Sequence, residues 1–381
     1  MTGAAVEDLP RPSDRAAILV SSFGFSVGLG VATLVVPLLA LESGYDPATV
    51  GFLAAAVAVS QLTTRLGVPW LLGRVADRTL IAVGCLLMAL AFSLIIASTA
   101  LPVFFAAQLL QGAARAIFWT SSQTHAVRAG GPTVRRLVDL SVAGNAGTLT
   151  GPTLGGLLVA SGFEVALAAA IVTVMAGASA SLVMRRLSPF DRRASAGTLR
   201  LLARPGVDVA CWASVVGGGW WSMVGSYIPV ILVGAGIGPQ GIGLLITLSE
   251  GAGVAALLAL RSAGPAVVPI AVRVAAFSAM AALAGIALVP ANALLYGVLM
   301  AIGGASSGTV TNLAPAMASL VAGPQEQGDA MALSGTFRAA ALLAAPATAG
   351  ALLSAVPIPG AVTIVAAALG LPGLLLASRR R

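Results

Sequence analysis

A chain of 381 residues with 58% hydrophobic and only 9% charged residues, and a mean hydropathy of +0.98, cannot be a soluble domain, because too little polar side chain is present to cover a water-facing surface. The net charge of +8 is carried by arginine alone, since the sequence contains no lysine. Two cysteines and one histidine exclude a disulfide framework and a metal site, and the missing lysine excludes a phosphate-binding P-loop.

Apolar runs near twenty residues, the length that crosses a hydrocarbon core about 30 Å thick, predict twelve spans over 16–41, 48–71, 80–99, 101–124, 136–160, 163–184, 208–233, 241–260, 269–289, 292–320, 329–354 and 358–377. The first follows Glu7, Asp8, Arg11, Asp14 and Arg15 and has no small-residue cleavage site, so residues 1–15 are expected to stay attached as a cytoplasmic N-terminus. With that end inside, the inner segments collect Arg74, Arg78, Arg128, Arg135, Arg136, the cluster from Arg185 to Arg204, Arg261, Arg273 and Arg379 to Arg381. The opposite loops hold Glu42, Asp46 and Glu164 and no arginine. Excess arginine marks the cytoplasmic side, so both termini are expected inside a cell membrane. The basic balance then reflects topology, and a nucleic-acid partner is not expected.

The chain repeats itself. Pro37-x6-Gly44-x2-Pro47-x3-Gly51 returns as Pro229-x6-Gly236-x2-Pro239-x3-Gly243, a displacement of 192 residues, and a displacement of 194 lays Pro152 and Gly156 over Pro346 and Gly350. Two six-helix halves are implied, 16–184 and 208–377, joined by an arginine-rich linker over 185–207 that touches anionic lipid and followed by a short tail at 378–381.

In the fifth span the run Gly144 to Gly156 reads GNAGTLTGPTLGG. Gly147, Gly151 and Gly155 recur every fourth residue and form a smooth ridge for close helix contact, while Pro152 removes the hydrogen bond to Thr148. This pattern, completed by Gly156, resembles the fifth-span signature of the major facilitator superfamily, commonest among its antiporters. Between spans 2 and 3, Gly73-Arg74-Val75-Ala76-Asp77-Arg78 resembles the first half of that superfamily's loop motif. Leu80, Ile81 and Ala82 replace the glycine and basic pair of the second half. The fourth-span motif is half present as Gln108-Leu109-Leu110-Gln111-Gly112, with Arg115 one turn beyond. The resemblance covers the whole chain. It implies an all-α membrane protein with twelve transmembrane helices in two six-helix halves around a central cavity, and it implies that Asp77 sits against the eleventh span near Gly328 and Asp329, latching the halves. The alternative for Arg74 and Arg78 is that they only anchor the loop to lipid.

Charged residues inside spans each cost about 2.5–3.5 kcal/mol at mid-bilayer and demand compensation. Four stand out away from the span ends: Arg65 in span 2, Arg115 in span 4, Glu250 in span 8 and Arg338 in span 11. The resemblance puts all four spans around the cavity. Gln108, Gln111, Arg115, Trp119 and Ser122 follow at spacings of three and four and make a polar stripe on one helix face. Gln61 stands one turn from Arg65 and Ser334 one turn from Arg338, and Asn145, Trp220 and Trp221 add an amide and two indoles, of which at most one indole can face inward. For each a packing alternative stands beside the cavity reading, snorkelling for Arg65 and Arg338 above all. His125, near a helix end, is expected to be solvated. Glu250 is the only acidic residue deep in a span, which makes it the expected proton-coupling site.

The reading is a secondary active transporter of a small organic molecule, anionic or amphipathic, working as a monomer by alternating access in the plasma (cell inner) membrane. Proton-coupled efflux by antiport is the leading expectation, with no cofactor beyond the coupling H+. Uptake of an organic anion is the alternative, because three cavity arginines outnumber one glutamate. A non-transporting membrane sensor or scaffold on the same fold is the alternative of another class. An enzyme is not expected, since no paired carboxylates or nucleophilic triad lie within the spans.

Overall fold

The computed structural model describes residues 12–129, 133–187, 189, 198–260, 266–322 and 326–378. Among these, regular structure is entirely helical. The α-helices are α1 (Pro12–Glu42), α2 (Pro47–Leu72), α3 (Asp77–Ala97), α4 (Leu101–Arg128), α5 (Thr133–Val159), α6 (Phe163–Val183), α7 (Val207–Val224), α8 (Tyr227–Gly234), α9 (Pro239–Leu260), α10 (Val268–Leu288), α11 (Ala293–Val321), α12 (Gln327–Leu352) and α13 (Ile358–Ser378), with a short 3-10 helix over Thr198–Ala203. A backbone surrounded by hydrocarbon must satisfy its own hydrogen bonds, and helices do so within one segment.

Among the described residues eight helices are long and apolar enough to cross a membrane, and the bent pair α7 and α8 makes up to nine. The expected twelve are not all reached on that test. In α5 the ridge itself, with its Asn145, threonines, glycines and Pro152, dilutes the apolar run that spanning would otherwise require. The expected seventh span, 208–233, is not one straight helix but breaks by 46°. Pro229 lacks the N–H that would bond to the carbonyl of Gly225, and glycine gives the break its freedom. Pro37 occupies the corresponding place in α1, yet that helix continues unbroken to Glu42, with Thr33 where the repeat has Gly225.

The repeated motif folds into the same turn twice. Gly44 and Gly236 adopt left-handed backbones at φ 85° and 79°. After α1 the amides of Gly44 and Tyr45 bond back to Leu41 and Ala40, and after α8 those of Gly236 and Ile237 bond to Val233 and Leu232. Both are Schellman caps, which need a residue without a Cβ penalty at that place. Asp46 then caps α2, accepting the Thr49 amide at 2.8 Å, and Thr49 holds its carboxyl below the usual range through hydroxyl and amide bonds.

Packing divides the chain into two units. The first comprises 1–32, 59–151 and 164–193, and the second 33–58, 152–163 and 194–381. In the first, Phe25 of α1 stacks on Phe118 of α4 with ring centroids 3.8 Å apart, and Gly84 of α3 makes room for Phe118. The ridge of α5 lies on α1 as its spacing predicts. A Cβ on Gly147 would sit 2.5 Å from the Phe23 carbonyl, and one on Gly151 would sit 2.6 Å from both the Gly30 Cα and the Val27 carbonyl.

In the second unit α9 crosses α11 glycine on glycine, since a Cβ on Gly308 would stand 2.5 Å from the Gly253 Cα. The unit also contains two reciprocal seams. Gly51 of α2 faces the Pro346 carbonyl of α12, and its repeat counterpart Gly243 of α9 faces the Pro152 carbonyl of α5. Gly156 meets Pro239 and Gln240, while its counterpart Gly350 meets Ala48, the counterpart of Gln240. Thr153 and Thr247 share a hydrogen bond of 2.7 Å across one seam. These contacts explain why 33–58 and 152–163, which belong to the first sequence half, pack with the second unit.

Candidate functional site

The stripe residues of α4 differ in their surroundings. Gln108 and Gln111 are buried and joined, with the Gln111 amide donating to the Gln108 oxygen at 2.6 Å. Arg115, one turn on, is half-buried, and its Nε has no hydrogen-bond partner among the described residues. Trp119 lies edge-on to Phe118 at 5.5 Å, and its indole occupies the space that a side chain at Gly144 would need. Asn145 is half-buried on α5, its carbonyl accepting from the Thr148 hydroxyl at 3.1 Å. Arg65 is exposed on α2, and Gln61 is half-buried on the same helix.

In the second unit Glu250 is half-buried on α9, and Arg338 of α12 is the charge whose field reaches it. Ser334, expected beside Arg338, instead turns to α7 and shares a hydrogen bond of 2.5 Å with Ser214. The two indoles divide. Trp220 is 1% exposed and fills the hollow left by Gly303, so it is a packing residue, whereas Trp221 keeps partial exposure.

The loop motif is more committed than its resemblance implies. Gly73 lies in the turn after α2. Arg74 folds over the exposed Trp70 ring at 3.9 Å, an amphipathic pair suited to an interface. Arg78 donates to the Met184 and Leu182 carbonyls at 2.9 and 3.3 Å, satisfying orphan carbonyls at the end of α6. Asp77 is fully buried. Its carboxylate accepts the Arg78 amide at 2.8 Å and faces His125 at 3.3 Å and Arg128 at 3.5 Å. In this structure Asp77 is therefore held by its own unit. The surroundings of Gly328 and Asp329, its expected neighbours, lie outside what is described.

His125 overturns the sequence expectation. It is not solvated but 1% exposed, and its Nε2 lies 3.3 Å from both oxygens of Asp14. The expectation failed because a lone polar residue near a helix end is ordinarily wet, and its partners stand on α1 and α3, far away in sequence. Of the arginine cluster, the Arg185 amide donates to Asp14 at 2.7 Å, and Arg204 pairs with Glu326 at 2.7 Å. Among the described residues no group of His, Cys, Asp and Glu could hold a metal.

The sequence matches the family model of the Major Facilitator Superfamily over residues 18–346. No curated protein matches it. Its fold is shared with solved structures of low identity. A POT family transporter in complex with a thioalcohol-conjugated peptide aligns at 11% identity and TM-score 0.77, covering 97% of this chain and 96% of that one. The nucleoside transporter NupG aligns at 12% and 0.70, covering 96% and 97%. A bacterial homolog of the human lysosomal transporter Spinster, in an inward-facing and unoccupied conformation, aligns at 12% and 0.68, covering 97% and 91%.

Proposed function

The chain belongs to the major facilitator superfamily of multi-pass membrane transporters, and on that premise we propose that it moves a small organic molecule across the plasma membrane in exchange for protons, in the direction of export. The observation that carries the coupling is Glu250. It is a lone carboxyl on α9 within the field of Arg338 on α12. A carboxyl in a partly dehydrated site holds its proton more tightly than in water, and a guanidinium moving toward it weakens that hold. If the distance between the two changes as the transporter alternates, the proton is taken up in one state and released in the other. The antiport direction rests on the α5 ridge, whose Gly147, Gly151, Pro152, Gly155 and Gly156 follow the antiporter signature. Both termini are assigned to the cytoplasm on the arginine distribution.

The test begins with proteoliposomes containing a pH dye and a panel of nucleosides, peptides, organic anions and amphipathic cations, to find the compound whose addition moves protons. Glu250→Gln, which mimics the protonated form, is then expected to keep exchange of that compound between the two sides and to lose its accumulation under a pH gradient. A Gln variant that still accumulates it removes Glu250 from coupling and argues against a proton as the driving ion. A protein that binds a compound yet moves none would favour the sensor reading.

A second reading, uptake of an organic anion, is favoured by Arg115. A half-buried guanidinium within a span, with no acidic partner among the described residues, is costly unless an anion visits it.

A further inference from the structure

His125 stands where three helices and the end of a fourth meet. Its ring is 1% exposed between Asp14 of α1, 4% exposed, and Asp77 of α3, fully buried. Nε2 lies 3.3 Å from Asp14 Oδ1 and Oδ2, and Nδ1 lies 3.3 Å from Asp77 Oδ1. The other charges around it are assigned to one another. Arg128, one turn further along α4, lies 3.5 Å from Asp77 Oδ2, and Arg15 of α1 pairs with Asp139 of α5 at 2.6 Å. Arg136 of α5 reaches Asp14 only through its field. Arg78 of α3 is turned to the end of α6, and Arg185 offers Asp14 its backbone amide.

An ionised carboxylate only accepts hydrogen bonds, and a neutral imidazole carries one N–H and one lone pair. With a neutral ring, one nitrogen lone pair would therefore face a carboxylate oxygen in a site closed to water. Only the imidazolium carries an N–H on both nitrogens, one at Nε2 within hydrogen-bond reach of Asp14 and one at Nδ1, which lies 3.3 Å from Asp77 Oδ1 as an ion-pair contact without hydrogen-bond alignment. The charge count agrees. Counting only charges in direct contact, Asp14, Asp77, Arg128 and a protonated His125 sum to zero, whereas a neutral ring leaves Asp14 with no cation in contact and only the field of Arg136 to offset it.

We propose that Asp14, His125 and Asp77 form a proton-binding site distinct from Glu250, whose proton holds the arginine-bearing end of α1 against α4. Asp77 has a second cation on α4 in Arg128, so α3 stays tied whether or not the ring is charged. Asp14 meets α4 through His125 alone among these charged contacts. Loss of the proton therefore loosens α1 first, and this end of the first unit responds to pH through the only histidine in the chain.

That single histidine makes the test unambiguous, because one labelled ring reports one site in the full chain, in lipid nanodiscs and without a transported compound. At pH 7.5, 15N spectra of the imidazole are expected to show hydrogen on both nitrogens, and Asp14→Asn is expected to abolish that form while Glu250→Gln leaves it unchanged. Amide hydrogen exchange over residues 14–22 is expected to rise at least tenfold in His125→Gln and to stay near the wild-type rate in His125→Lys, which keeps a cation. In the wild type the same amides should speed up, beyond the intrinsic pH effect, as the imidazolium signal disappears. A neutral single-tautomer ring at pH 7.5 in the wild type, exchange in His125→Gln equal to wild type, or loss of the imidazolium in Glu250→Gln would overturn the proposal. The wild-type spectrum decides it even if a variant fails to insert.

Discussion

Arg115 is a half-buried cation on α4 whose Nε finds no hydrogen-bond partner among the described residues, while Asp14, Asp77 and Asp139 of the same unit are engaged by His125, Arg128 and Arg15. What meets it can then come from outside the protein. A charged hydrogen bond contributes about 1.5–3 kcal/mol, so Arg115→Gln is expected to weaken binding of anionic compounds roughly 10- to 100-fold and of neutral ones little. Isothermal titration of the purified variant against matched anionic and neutral compounds checks this, and equal loss for both would return Arg115 to a structural role. At this scale the sequence was a poor guide to side-chain partners. Ser334 stands one turn from Arg338 in the sequence but is bonded to Ser214, because helical spacing says which residues share a face and not which neighbouring helix that face meets.

Among the elements, α5 shows a sequence pattern acting as a contact. The glycine period of four is a helix period, so the bare ridge was legible before any partner was known, and its partner proved to be α1. No side chain fits at Gly151, since its Cβ would stand 2.7 Å from the Val31 amide nitrogen as well as against Gly30. Backbone cannot move aside as a flexible side chain can, and overpacking ordinarily costs about 1–3 kcal/mol. Gly151→Leu is expected to insert and to lose transport, with a lowered melting temperature in detergent. Transport at the normal rate would show that the α1 and α5 contact is not a tight one in the working protein. The break between α7 and α8 was less legible. Pro37 and Pro229 occupy equivalent places, yet only the second interrupts its helix, because glycine precedes it by four residues.

At the scale of the whole molecule, the duplicated Gly and Pro positions become the reciprocal seams Gly51 on Pro346 and Gly243 on Pro152. A transporter that alternates between two states needs contacts that can part, and small residues against carbonyls give close approach without interlocking side chains. The Thr153 and Thr247 hydroxyls, 2.7 Å apart, mark where such a seam can be locked. The double variant Thr153→Cys with Thr247→Cys is expected to cross-link under mild oxidation and to stop transport, with recovery on reduction. A cross-linked protein that still transports at the wild-type rate would mean that this seam stays closed throughout the cycle.

Run length, glycine period and repeated turns are local or periodic properties, and they were written in the chain. Apolar length announced a multi-pass helical protein because hydrocarbon admits few alternatives, and Gly44-x2-Pro47 and Gly236-x2-Pro239 announced equivalent turns because a left-handed cap needs glycine in either copy. Only folding decided what each surface meets. Asp14 and His125 are 111 positions apart, and nothing in either neighbourhood points to the other, so the buried imidazole between two carboxylates could not be read beforehand. Trp220 and Trp221 were equal candidates until Gly303 opened a hollow for one of them. Such pairings depend on which helix faces which, and that is set by close packing over the whole chain rather than by any stretch of it.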